Sequence, residues 1–223
     1  MSIVIGQAPA PLDAELVARL RRCSFATFGH YVEEGFLDPG IRRLTGSGAI
    51  VGRAVTVRLT AQDSTMLHHA VSDVEAGDVL VIDTGGDARH APVGEMIATA
   101  LAVRGAAGVV VDGVCTDLDE IEALGVVAYA RGSSLLTTKL LGVDAGGLHV
   151  PVSVGGVTVR SGDVVLADRN GVLVASAAVL AALVDTVLED DAEEPGLADE
   201  LRAGRRLGDL TGASGTIRSL QEG

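Results

Sequence analysis

Between Asp78 and Gly132 the chain repeats one pattern: an apolar run, a glycine-marked turn, then a stretch with helical spacing. "DVLVID" is followed by the loop "GGDARHAPVG" and by "EMIATALAVRG"; "GVVVDG" is followed by "DLDEIEALG"; "VVAYARG" closes the series. Short valine-rich runs bounded by Asp and Gly read as strands buried on both faces. A segment of helical length between consecutive strands of this kind implies right-handed βαβ crossovers and a parallel sheet. No other feature narrows the fold as much.

The flanks extend this α/β core. "PLDAELVARLRR" has apolar residues at helical spacing, Asp13 at its start and arginines at its end, in keeping with the helix dipole. "SFATFGHYVEEGF" predicts a short helix opened by Ser24, and "AIVGRAVTVRL" predicts a strand. "DSTMLHHAVSDVEAGD" predicts a helix capped at Asp63 and ended near Gly77. After Gly132, "HVPVSVGGVTVRSGDVVLADRNGVLVAS" alternates in short runs. Its Gly155-Gly156 and Asn170-Gly171 pairs supply the positive φ of two-residue hairpin turns, so an antiparallel β module is expected. The tail from about 177 to 210 reads as helix broken at Pro195. No low-complexity linker or repeat divides the chain, so one domain over 1–223, with its core at about 12–180, is the economical organisation.

Composition removes several function classes. Aromatics are 2% and the net charge is -13, so neither base stacking nor phosphate tracking is supplied and direct nucleic-acid binding is not expected. The longest apolar region, Met96 to Val111, is interrupted by Arg104 and too short to span a bilayer. The N-terminus lacks a basic region followed by an unbroken apolar stretch, so a cytoplasmic protein is expected. Cys23 and Cys115 are too few for a disulfide framework.

In open parallel sheets, ligands bind beyond the carboxyl ends of the strands. Asp83, Asp112 and Arg131 therefore approach one rim, and the helix start at Gly94-Glu95 offers free amides to an anion such as a carboxylate. The stretch "VVVDGVCTDLDE" adds Asp117, Asp119 and Glu120. Asp117 reads either as an N-cap for "LDEIEAL" or as a site carboxylate, and Glu95 either as a first-turn acid balancing the dipole or as a site residue. His68 and His69 diverge by about 100° on a helix and cannot both face one metal. One packed and one exposed, without chemistry, is the expectation. His90 reads as a solvent-facing loop histidine and Cys115 as a small packed thiol, with no neighbouring cation to activate it. "GSGAIVG" lacks both the GxGxxG spacing and a Gly-Lys-Ser/Thr, so it is a weak phosphate loop. The acidic "LEDDAEEPGLADE" reads as a solvated helix face, from which a single glutamate, Glu194, can reach a neighbouring subunit's site.

Taken together, "GDVLVIDTGGD", "GEMIATALAVRGAAGVVVDGVCTDLDEI" and "PVSVGGVTVRSGDVVLADRNGVLV" resemble the RraA-like family over roughly residues 12 to 180. That family includes class II 4-hydroxy-4-methyl-2-oxoglutarate and 4-carboxy-4-hydroxy-2-oxoadipate aldolases and regulators of ribonuclease E activity. The resemblance implies a β/β/α swivelling-domain sandwich with a helical C-terminal tail, assembled as a homotrimer or hexamer with sites between subunits. It implies a divalent cation, Mg²⁺ or Mn²⁺, with Asp117 as ligand and Glu95 holding a metal-bound water. The amides of Gly94, Glu95, Met96 and Ile97 would receive the carboxylate of a 2-oxo acid, and the cation would act as a Lewis acid in carbon–carbon cleavage. Two positions depart from the family pattern: Thr116 stands where the aldolases carry a substrate-binding Arg, and Ser64 where many members carry Asn. A threonine hydroxyl replaces neither the charge nor the reach of that Arg, and Arg131 or Arg89 is the expected substitute. Three readings follow: a metal-dependent lyase on a 2-oxo acid, the same site retuned to another small carboxylate or carbonyl substrate, and a non-catalytic regulatory trimer binding a ribonuclease or helicase.

Overall fold

The structure, a computed structural model, describes residues 2–60 and 62–222. Along the chain, β1 (Val4–Ile5) precedes α1 (Ala14–Leu20), and a 3-10 turn over Phe25–His30 leads to β2 (Arg42–Thr45) and the long β3 (Ile50–Arg58). Helix α2 (Thr65–Ala70) connects to β4 (Val79–Asp83), and α3 (Glu95–Arg104) to β5 (Gly108–Asp112). After the short β6 (Val114–Cys115), α4 (Leu118–Ala123) leads to β7 (Ala128–Ala130). Strands β8 (Gly132–Ser133) and β9 (Gly147–Leu148) precede two hairpins, β10 (Val152–Val154) with β11 (Val157–Val159) and β12 (Val164–Ala167) with β13 (Val172–Ala175). Helices α5 (Ala177–Arg202), α6 (Leu207–Leu210) and α7 (Ala213–Glu222) follow.

The expected parallel core is present. Strands β3, β4, β5 and β7 pair in parallel, with Val55 opposite Leu80, Leu80 opposite Val109, and Val109 opposite Ala128. Because successive side chains alternate across a strand, each apolar run feeds two cores. Leu80, Ile82, Val109 and Val111 pack with Leu67, Leu101 and Ile121 of the helices, while Val79, Val81 and Val110 pack under the hairpins with Val154 and Val165. Each such side chain, withdrawn fully from water, contributes about 1.5–3 kcal/mol. Strand β3 changes partners midway: Ile50–Arg53 pairs antiparallel with β12, and Ala54–Arg58 parallel with β4. On the far side of β12 and β13 a third core joins Leu166 and Leu173 to Leu20 of α1 and to Leu180 and Val184 of α5. The result is a mixed α/β sandwich of helices, sheet and hairpins with a helical C-terminal segment.

Four local expectations change. Residues 25–30 form a 3-10 turn, and Ser24 makes no side-chain cap; its amide instead donates to Asp191 of α5. The helix after Asp63 is only Thr65–Ala70, followed by a 3-10 turn that stops at Asp73, short of Gly77. Gly155-Gly156 makes a two-residue turn with φ of +57° and +80°. Asn170-Gly171 does not: Ala167 pairs with Val172, leaving a four-residue loop, because the Asp168 carboxylate accepts the Asn170 amide at 2.7 Å and fixes a wider turn. Pro195 lies inside an unbroken α5. No residue of α5 beyond Val187 is buried, so water can solvate the carbonyl that the proline leaves without a partner.

Candidate active site

Strand β5 ends at Asp112, and the chain then steps sideways. Strand β6 pairs with β8, and Cys115 bridges to Val93 just before α3. The Thr116 amide donates to the Val93 carbonyl at 2.9 Å, which delivers Asp117 to the start of α3. Asp117 occupies left-handed backbone at φ +53°, uncommon for a non-glycine residue. Although it occupies the N-cap position of α4, its side chain makes no bond to that helix. Instead its Oδ2 accepts the Glu95 amide at 3.0 Å, and its Oδ1 accepts the Thr116 hydroxyl at 3.1 Å. The carboxylate thus sits at the N-terminus of the neighbouring helix α3, where free amides and the dipole favour negative charge. Gly94 permits this approach: a Cβ there would lie 2.4 Å from Asp117 Oδ2 and 2.7 Å from Thr116 Cγ2.

The amides of Gly94 to Ile97 are not equivalent. Glu95's is taken by Asp117, whereas those of Met96 and Ile97 find no acceptor among the described residues and remain available to an anion. The carboxylates of Glu95 and Asp117 are both exposed, while Thr116 is buried.

The opposite wall comes from the loop after β8. Its Leu136 carbonyl accepts the Ala91 amide, and the Lys139 amide donates to the Gln62 carbonyl at 2.7 Å. Asp63, buried, clamps the far end of this loop: it accepts the amides of Leu141 at 3.0 Å and Val143 at 2.8 Å, together with the amide and hydroxyl of Thr65. Burial raises the Asp63 pKa, but these donors more than offset it and hold the carboxyl at about 2. The loop so held places Lys139, the sole lysine of the chain, on a cavity of about 190 Å³ shared with Glu95, Met96, Asp117 and His68. Larger hollows of about 860 and 830 Å³ lie elsewhere, around Arg58 and Leu141 and between Phe36 and Val179. Neither gathers two carboxylates, a lysine and open helix amides.

Other sequence candidates fall away from this cavity. Asp83 and Asp112 hold the β10–β11 hairpin, accepting the amides of Ser153 at 3.1 Å and Gly155 at 2.7 Å. Arg131 is bound by Asp112 at 2.5 Å and Asp38 at 2.9 Å and does not line the cavity, so it is not the cation that stands in for the missing arginine. Arg89 is exposed on the preceding loop, outside the lining. His90 is half-buried rather than solvent-facing, its Nδ1 2.6 Å from Asp87 Oδ2. Cys115 is the packed thiol expected, and burial pushes its pKa up to about 12. Neither His68 nor His69 is packed, because Met66, Leu67 and Ala70 take the inward positions of α2; His68 faces the cavity. Glu194 is exposed on the solvated half of α5. Lys139 was not singled out from the sequence, although a lone lysine among 17 basic residues was a visible signal.

Among the described residues, no cluster of three or more His, Cys, Asp or Glu side chains is placed to hold a metal. Among the described residues, no helix is long and apolar enough to cross a membrane.

Comparison with known proteins identifies the fold and the family rather than the site. The family model described as "RraA-like: Aldolase/RraA" matches residues 13–174. A Halalkalibacterium halodurans protein named "Putative 4-hydroxy-4-methyl-2-oxoglutarate aldolase" is 32% identical over 171 residues, covering 75% of this chain and 80% of that protein. Among solved structures, an uncharacterized Pseudomonas syringae protein superposes with a TM-score of 0.78 at 20% identity, over 93% of this chain and 98% of that one. A Streptomyces coelicolor protein, described as an unusual member of the RNase ES inhibitor RraA family, superposes with a TM-score of 0.73 at 29% identity, over 88% and 99% of the two chains.

Proposed function

The chain belongs to the RraA-like family, and on that footing we propose that it is an aldolase-type lyase that cleaves a carbon–carbon bond of a small 2-oxo acid. The observation that carries this reading is the Asp117 carboxylate, held in left-handed backbone against the open N-terminus of α3 on a small cavity that Lys139 also borders. Membership alone would also admit a regulator, since the Streptomyces relative is described as an unusual member of a family of RNase ES inhibitors. A carboxylate on left-handed backbone, two amides without an acceptor and a lysine, all bordering 190 Å³, suit a small oxo acid, and an adaptor surface needs none of them.

The donor set fits Mg²⁺ or Mn²⁺. Asp117 would ligate it and Glu95 would hold a water on it; among the described residues no group of three carboxylates and histidines is placed to complete a cage, so the other positions would fall to solvent, as these hard cations favour. When bound, the cation would supply Lewis-acid charge to offset the negative charge that builds as the carbon–carbon bond breaks. The protein's own groups do the rest. The Met96 and Ile97 amides receive the C1 carboxylate at the dipole end of α3. The Thr116 hydroxyl and the Glu95 amide fix the rotation of the Asp117 carboxylate. Glu95 takes the proton of the substrate hydroxyl through a water. Lys139 supplies the cation that Thr116 does not, as a point charge rather than a bidentate fork.

Assembly forms part of the proposal. Leu135, Leu140 and Leu141 are 98%, 63% and 57% exposed on the loop that carries Lys139. A homotrimer or hexamer would cover them and exclude water from the cavity. In such an assembly a neighbouring subunit's Glu194 would be the residue to add a carboxylate at the rim. The test is release of pyruvate from a 4-hydroxy-2-oxo acid or oxaloacetate with Mn²⁺, read by a coupled dehydrogenase. Turnover is expected in wild type and a loss of at least about 100-fold in Asp117→Asn, which keeps a left-handed-tolerant residue. No pyruvate from wild type, or an equal rate in the variant, would refute the lyase assignment.

A further inference from the structure

A second polar cluster lies apart from the Asp117 cavity. Among the described residues, His149 is the one other non-glycine residue in left-handed backbone, at φ +55°. Its side chain is 3% exposed. Nδ1 lies 2.8 Å from Ser161 Oγ, and Nε2 lies 3.8 Å from Asp73 Oδ2. Nε2 is buried and makes no hydrogen bond among the described residues. His149 and Ser161 border a cavity of about 400 Å³, together with Gln7, Pro9 and Arg160. Strained non-glycine backbone beside a cavity and a buried, unpartnered ring nitrogen both cost free energy, and a purely structural histidine gains nothing from either.

The tautomer follows from electrostatics. The Asp73 carboxylate favours the proton on Nε2, which leaves the Nδ1 lone pair facing the Ser161 hydroxyl. That hydroxyl has two acceptors in range, Nδ1 at 2.8 Å and the Ala54 carbonyl at 3.3 Å, and the nearer one orients it. Burial holds the ring below the ordinary histidine pKa, so it is neutral at pH 7 and able to receive a proton. Arg160 forms no salt bridge among the described residues, and it borders the same cavity.

We propose that Ser161, His149 and Asp73 form a nucleophilic site, separate from the lyase cavity, that hydrolyses small acyl esters with the acyl oxygen facing Arg160. Ser161 Oγ attacks the acyl carbon as its proton passes to His149 Nδ1. The ester C–O bond breaks, and the departing alkoxide takes that proton as the alcohol. Water then attacks the acyl-Ser161 carbonyl and gives a proton to Nδ1; Ser161 leaves with that proton, and a carboxylic acid is released. Asp73 stabilises the transient imidazolium. The roles are those of a Ser-His-Asp triad with the two ring nitrogens exchanged, which changes the geometry of approach and not the chemistry.

The experiment uses the full chain in EDTA, with p-nitrophenyl acetate as substrate and a fluorophosphonate as covalent probe. Wild type should hydrolyse the ester faster than buffer and take up one phosphonate, mapped by mass to Ser161. Ser161→Ala should abolish labelling and slow hydrolysis by about 100-fold or more. His149→Asn, which tolerates the left-handed backbone, should do the same, while Ser153→Ala at an exposed serine stays at the wild-type rate. The proposal is overturned if wild type is neither labelled nor faster than buffer, or if Ser161→Ala hydrolyses at the wild-type rate. Ser161→Ala removes one hydroxyl from a half-buried loop residue, so a folding failure in His149→Asn leaves the decision intact.

Discussion

Gly94→Ala places a methyl group in the space that the Asp117 carboxylate occupies. At 2.4 Å from Oδ2, the new Cβ stands about 1 Å inside ordinary contact distance, so the carboxylate must swing away. It then releases the Glu95 amide and the Thr116 hydroxyl. The backbone is not the obstacle: Gly94 has φ −141° and ψ −163°, extended values that alanine adopts. Stability should fall only modestly, although the new Cβ also meets Cγ2 of the buried Thr116 at 2.7 Å. Losing the charge-assisted bond to the Glu95 amide costs about 1 kcal/mol, because both groups are exposed and water takes over. Replacing glycine offsets roughly 0.4–1 kcal/mol of that by lowering unfolded-state entropy. The melting temperature should therefore stay within about 4 °C of wild type for a chain of this length. The site should respond far more. A displaced Asp117 weakens Mn²⁺ binding, followed by electron paramagnetic resonance of the free ion, by about tenfold or more, equivalent to about 1.4 kcal/mol. Pyruvate release should fall in parallel. Unchanged Mn²⁺ affinity and turnover in a folded Gly94→Ala protein would refute the claim that this close approach sets the carboxylate.

Asp63→Asn should lower stability at pH 7 by about 1–3 kcal/mol, read from the urea midpoint, since an amide cannot accept on both faces and turns a donor toward the Leu141 or Val143 amide. The folded carboxyl titrates at about 2, below its unfolded value, so its contribution is complete above the ordinary Asp range and is lost as pH falls towards 2. The gap between variant and wild type should narrow correspondingly in acid; a gap independent of pH would show that the charge is not what clamps the loop. Lys139→Gln should raise KM for a 2-oxo acid by about tenfold with a smaller effect on kcat and none on the melting temperature. Equal KM values would remove Lys139 from substrate binding.

Much of the site was legible in the sequence, but its connections were not. The apolar runs ending in Asp83 and Asp112, and the helix start at Glu95, appeared where expected. What local reading could not assign was the partner of each carboxylate. Asp112 and Asp83 read as rim residues and serve as hairpin anchors; Asp117 reads as either a cap for its own helix or a site carboxylate, and its side chain binds the start of another helix. An N-cap motif is recognised from neighbours in sequence, whereas the donor that Asp117 meets lies 22 residues away. Arg131 fails as the substitute cation for a similar reason: two aspartates, one of them 93 residues distant, claim its guanidinium first.

The sequence by itself determined the alternation of strands and helices, hence the parallel sheet, because side-chain periodicity and turn residues act over a few positions. It also set the family resemblance, carried by the order of those motifs. Only the tertiary structure decided that the loop from Ser134 to Val143, featureless as sequence, would be clamped by Asp63 and bring the chain's one lysine to the Asp117 cavity. That outcome depends on hydrogen bonds between segments more than 70 residues apart, and such bonds have no local signature from which they could be read.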